Sequence, residues 1–127
     1  AAAHCGPPIH VDIVEDTDWR LSTLDGASID DATFPYDLYP SMRLISEDGI
    51  IAGFTGCNRL QGNYGRDGYN IRFDKMAPTR RACEGVMDEE VRFLKALDTI
   101  TSLRQQDGML NLYDDKSKLR LQFVEDK

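Results

Sequence analysis

With 127 residues and a mass of 14.3 kDa, the chain has the size of one domain built on one hydrophobic core, and is too small for two. It is 41% hydrophobic and 29% charged, and no apolar run approaches the roughly 20 residues of a membrane-spanning helix, so a spanning segment is excluded. Twenty-two acidic residues against fifteen Lys and Arg leave a net charge of −7, a field that opposes phosphate backbones and argues against nucleic acid as a partner.

The first residues, Ala1-Ala2-Ala3, lack the charged start and hydrophobic stretch of a signal peptide and read as what export processing or cloning leaves behind. Pro7-Pro8 and the acidic Glu15-Asp16 make residues 1–17 an extended arm in front of a folded domain, residues 18–127. Cys5 lies in that arm, and His4 before it fits poorly with the small residue that lipid attachment requires. Trp19, Leu21 and, after a break in strict alternation, Leu24 predict a first strand ended by the turn dipeptide Asp25-Gly26. Residues 27–40, limited by Pro35 and Pro40, read as a long polar loop.

Residues 42–45 and 50–54 flank Ser46-Glu47-Asp48-Gly49, a hairpin with a glycine for the positive φ of its turn. The second arm runs into Gly53-Phe54-Thr55-Gly56-Cys57-Asn58, where the glycines permit a bulge or a sharp bend. Gly62, Gly65 and Gly68 are spaced as turns between strands, and Tyr69, Ile71 and Phe73 then alternate along the next strand. Asp88-Glu89-Glu90 opens a helix of about residues 86–99, whose apolar positions Val91, Phe93, Leu94 and Leu97 fall three and four apart. Two further strands after residue 100 turn at Asp107-Gly108, and the last pair is joined through Asp114-Asp115-Lys116-Ser117-Lys118. Strands, one helix, then strands predict an α+β domain with an antiparallel sheet, anchored by Trp19, Phe54 and Phe73.

Three cysteines leave one thiol over. Position pairs Cys57 with Cys83 in an oxidising compartment; in a reducing one the same two residues are buried thiols. A nucleophilic Cys57 would need a base beside it, and the only histidines, His4 and His10, lie in the arm. Neither a four-ligand metal set nor a phosphate-binding glycine loop with its lysine is present in the sequence, so no metal or cofactor is expected. Asp30-Asp31 and Asp114-Asp115 lack the alternating oxygen ligands of a calcium loop and read as solvated turns. Arg59, Arg80 and Arg81, with Asn58, are the candidates for tying loops together or holding a carboxylate ligand.

Trp19-Arg20-Leu21, Gly53-Phe54-Thr55-Gly56-Cys57-Asn58-Arg59, Gly62-Asn63-Tyr64 and Met76-Ala77-Pro78-Thr79-Arg80-Arg81-Ala82-Cys83 occur in one order along residues 18–124. In that order they resemble the META domain family, typified by the HslJ heat-shock proteins of bacterial envelopes. Arg81 departs from the apolar residue usual before Ala-Cys, and the loop at 27–40 is long. The resemblance implies a strongly curved antiparallel sheet, a cracked barrel with one main helix. It also implies a stress- or envelope-related, non-enzymatic role in the periplasm or envelope, either free or anchored through the N-terminus. An oxidising compartment shifts the cysteine question towards a Cys57–Cys83 disulfide. The partner expected is a lipid, peptide or protein held by a monomer; an inhibitor-like module acting through its loops is the alternative, and a thiol-dependent enzyme at Cys57 a more distant one.

Overall fold

The computed structural model describes residues 13–29, 34 and 38–126. Among them β1 (Asp18–Leu24), β2 (Ala27–Ser28), β3 (Ser41–Ile45), β4 (Ile50–Phe54), β5 (Arg59–Asp67) and β6 (Asn70–Pro78) precede a single helix, α1 (Met87–Thr99). β7 (Ile100–Gln106), β8 (Met109–Asp114) and β9 (Leu119–Glu125) complete the chain. The sheet is antiparallel throughout, in the order β1-β3-β4-β5-β6-β7-β8-β9, and β1 pairs again with β9, which closes it into an eight-stranded barrel. β2 lies outside this ring as a two-residue edge along the far half of β1.

Local chemistry places the turns. Asp25-Gly26 and Asp107-Gly108 each have positive φ at both positions, the requirement of the two-residue hairpin whose twist matches its strands. The interrupted alternation of β1 comes from a register shift between Leu21 and Thr23 against β9, which turns Leu21 and Leu24 alike into the core. At the β8–β9 turn the Asp114 carboxylate accepts the backbone N–H groups of Lys116 and Lys118. These bonds hold its pKa below the usual carboxylate range.

Large apolar side chains point into the barrel. Trp19, Leu44, Ile51, Leu97, Leu110 and Phe123 are completely buried within it, and Phe93 of α1 meets Phe123 edge-on at 6.3 Å. The ring cracks between β6 and β7, which share only the Asn70–Ser102 pairing. α1 bridges that connection, sending Phe93, Ala96 and Leu97 inward; Val91 stays exposed.

Several expectations need correction. Gly62 and Gly65 lie inside β5, and only Gly68 forms a turn. Gly62 faces inward at a bulge, where a Cβ would come within 3.1 Å of the Asp74 carbonyl and the Met76 backbone. Tyr69, expected in line with Ile71 and Phe73, is exposed at the β5–β6 turn with the Arg104 guanidinium 4.5 Å above its ring. Phe54 is not a core anchor. Pairing with β3 and β5 turns Ile51 inward and Phe54 outward, so of the three expected anchors only Trp19 and Phe73 belong to the core.

Packed structure also starts before Asp18. Val14 is buried, and its carbonyl accepts the Trp19 indole N–H at 2.9 Å. Residues 1–12, with His4, Cys5 and His10, lie outside the described residues, as does most of the 30–37 stretch of the long loop.

Candidate functional site

The residues singled out in the sequence converge at one corner of the barrel, where the β4–β5 bend, the segment after β6 and the start of α1 meet. Thr55, in the bend, accepts the backbone N–H groups of Cys57 and Asn58 on its hydroxyl oxygen, at 3.2 and 2.8 Å. The same hydroxyl donates to the carboxylate of Glu90, in the first turn of α1. Asn58 uses its full hydrogen-bonding capacity. Its amide nitrogen donates to Glu90 at 2.7 Å and to the Arg81 carbonyl at 3.1 Å. Its amide oxygen accepts the Thr79 hydroxyl at 2.9 Å and the Arg81 N–H at 2.7 Å.

Thr55, Asn58 and Glu90 are all buried. Burying a carboxylate is costly unless its oxygens are occupied; here two side-chain donors occupy one oxygen, and the positive end of α1 adds a favourable field. A disulfide joins Cys57 to Cys83 across 26 residues of sequence and fastens the same two segments covalently. Phe34 covers that bond, packed with Cys57 and Val86 in a second small core. Gly56 is required beneath it: its φ is +96°, and a Cβ there would collide with the Phe34 ring.

This corner is a structural tie, and its reactive groups are consumed. As a disulfide sulfur, Cys57 offers no thiolate. Asn58 holds protein, not ligand. Arg81 contributes its backbone to Asn58, while its side chain, like those of Arg59 and Arg80, is exposed and has no ion pair among the described residues. Among those residues no cluster of three His, Cys, Asp or Glu side chains could hold a metal, and no helix is long and apolar enough to cross a membrane.

The sheet offers a different kind of site on its outer face. β4, Ile50-Ile51-Ala52-Gly53-Phe54, carries no polar side chain at all. Ile51 and Gly53 face inward, which leaves Ile50, Ala52 and Phe54 in an apolar stripe along the outside. Phe54 stands between Ser41 and Arg59, and Ala52 between Arg43 and Gln61. The small Ala52 and Ala77 let the surface sink into a groove of about 670 Å³, bounded by Asp18, Arg43 and Asp126 at one end and by Arg59 and Thr79 at the other.

A third cluster fastens the segment before β1. Glu15 accepts a hydrogen bond from the Tyr64 hydroxyl and pairs with Arg66 at 3.1 Å. Burial, and next the carboxylate beside it, push the Tyr64 pKa well above the usual phenol value of 10.0. Below pH 10 the phenol is protonated in both folded and unfolded chains, so the contribution is complete; above it the unfolded phenol ionises first and stability falls. Wild type is therefore expected to lose stability between pH 9.5 and 11, on the order of the phenol titration range, faster than Tyr64→Phe. Urea unfolding at several pH values measures this, and equal slopes would sink it.

Phe34, Glu15 and Glu90 escaped sequence reasoning. Phe34 is the one phenylalanine of the 27–40 loop, and nothing sets it apart there from Ile29, Leu38 and the tyrosines. A glutamate within Asp88-Glu89-Glu90 carries no mark distinguishing the buried acid from the two beside it.

A closed antiparallel barrel cracked beside one helix, with a disulfide-tied corner, defines the class. The META domain family model matches residues 12–127, and the chain belongs to that family. Its fold is similar to the solution structure of a protein from Burkholderia xenovorans, at 24% identity over 98% of this chain and 97% of that one, with a TM-score of 0.67. A DUF4847 family protein from Bacteroides vulgatus is 14% identical over 91% of this chain and 96% of its own, with a TM-score of 0.68. Among curated proteins none matches.

Proposed function

We propose that this META domain is a non-catalytic binding module of the bacterial envelope, and that it holds an extended polypeptide on its outer face instead of a lipid tail within the barrel. The observation that carries the reading is β4, a central strand apolar on both faces. An antiparallel strand with one solvated face normally alternates apolar and polar residues, and one that does not reads as covered on both sides. Inside, the core covers it; outside lies an open groove of about 670 Å³. The large side chains of Trp19, Leu44, Ile51, Leu97, Leu110 and Phe123 already occupy the interior, which favours the outer face over an acyl chain within the barrel. The disulfide supports an exported, oxidising location, and stress-related envelope work is the role most in keeping with the family.

Selection from a random decapeptide library with free C-termini tests the reading. Enriched peptides are expected to shift the amide resonances of Arg43, Ala52, Phe54 and Gln61, and to be lost with Ala52→Arg, which fills the groove without touching the core. An absence of enrichment, or resonance shifts confined to the 79–86 segment, would overturn it.

A further inference from the structure

We propose that the groove recognises the C-terminal end of its polypeptide, with the Arg59 guanidinium holding the terminal α-carboxylate; this rests on the binding reading above. The charges along the groove are segregated. At the β1 end, Asp18 and Asp126 face it together, and the one cation lining it there among the described residues, Arg43, is occupied by Asp18 at 3.5 Å and by the Asp16 carbonyl at 2.9 Å. At the β5 end Arg59 stands directly across from Phe54, its side chain exposed and without an ion pair among the described residues.

The backbone of Arg59 is fixed: its N–H donates to the Thr79 hydroxyl at 3.1 Å, and its carbonyl accepts the Thr79 N–H at 2.9 Å. The guanidinium is thus presented from a rigid strand, and among the described residues none uses its fork. Arg80 and Arg81, likewise without ion pairs among the described residues, follow Thr79 directly and deepen the positive field at this end. On a chain of net charge −7 such a local excess of cation is a selective feature. A guanidinium matches a carboxylate in two parallel hydrogen bonds, which is geometry as well as charge.

The dimensions agree with a chain end. From β1 to β5 the groove crosses three strand spacings, about 14 Å, which an extended peptide covers in about four residues. The terminal residue then lies on Phe54, the next over Ala52, and a residue about three positions upstream meets Asp18 and Asp126. The ligand class is therefore a peptide C-terminus with apolar last residues and a basic residue shortly before them. An internal segment of chain would leave Arg59 facing an uncharged amide.

Two synthetic probes test this, acetyl-Lys-Ala-Ala-Phe with a free C-terminus and its C-terminal amide, titrated into the labelled full chain and followed by amide resonances. The acid is expected to shift residues of β3, β4 and β5 and to bind at least tenfold more tightly than the amide. Arg59→Gln should weaken the acid by the same factor and leave the amide unchanged. Arg59 is exposed and its backbone bonds do not depend on its side chain, so the fold should survive; the acid–amide comparison in wild type does not rely on the variant in any case. If acid and amide bind the groove equally, carboxylate recognition is overturned while groove binding stands. If decanoate displaces the acid peptide with equal affinity, the assignment to a peptide is overturned. If neither probe perturbs the groove, this inference fails; if the decapeptide selection fails as well, so does the binding reading.

Discussion

Asn58→Ala is expected to destabilise the domain by about 3 kcal/mol, lowering Tm by on the order of 10 °C. Four hydrogen bonds to nitrogen and oxygen partners end on this one amide, besides a long one to the Cys57 sulfur, and all of its partners stay where they were. Removing it leaves the buried Glu90 carboxylate with Thr55 as its remaining side-chain donor, and strips the Arg81 N–H of its partner. An unsatisfied buried group costs about 1–3 kcal/mol and a charged one more, so this site outweighs an ordinary surface substitution several-fold. Asn58→Asp sharpens the test. It keeps the shape but brings a second carboxylate against Glu90, and two carboxylates at that distance must share a proton. The folded pair then binds protons more tightly than the unfolded chain. The variant should therefore be most stable below about pH 4 and lose stability as the pH rises through the carboxylate range. Thermal unfolding of wild type, Asn58→Ala and Asn58→Asp between pH 3 and 8, about the span of the carboxylate titration, measures both effects. An Asn58→Ala variant within 0.5 kcal/mol of wild type, about the scatter of neutral surface changes, would show that water replaces the amide and that the corner is no structural tie.

How much of this was legible depends on the range of the interaction. Turn dipeptides such as Asp25-Gly26 and Asp107-Gly108 act over two residues, and the acidic first turn of α1 over three, so both announce themselves locally. The Cys57–Cys83 bond was readable as a pairing because the cysteines could be separated by position, although spacing alone left the thiol form open. The inward glycine of β5 was not readable, because what a side chain at Gly62 would meet comes from β6, the Met76 sulfur first and then the backbone at Asp74 and Met76. Phe54 was misplaced for a related reason: its apolar character is as compatible with an outer groove as with the core, and only the register against Ser41 and Arg59 decides. The groove follows from that register. Its end charges come from β1, β5 and the C-terminal segment, which no local pattern could bring together.

Cysteine removal should have the larger effect. The Cys57–Cys83 bond closes a loop with a sequence separation of 26, and the loss of chain entropy it imposes on the unfolded state is worth about 3.5 kcal/mol. Cys57→Ala with Cys83→Ala is expected to lose about that much, and somewhat more from the space left beneath Phe34. The bond and the Asn58 amide fasten the same two segments, so their contributions should not add. Without the disulfide the 79–83 segment can part from the bend locally, and water then reaches the Arg81 backbone. Asn58→Ala should consequently cost less in the cysteine-free background than in the wild type, by about 1 kcal/mol or more. Hydrogen exchange reports the intermediate step, because the Arg81 N–H, held at 2.7 Å by Asn58, should exchange by global unfolding in the wild type and by local opening once the disulfide is gone. Additive losses within 0.3 kcal/mol, about the limit for independent sites, with Arg81 still exchanging globally, would mean that either fastening alone keeps the corner closed. The pair would then be redundant, and its coupling to the start of α1 would rest on Glu90 and Thr55 alone.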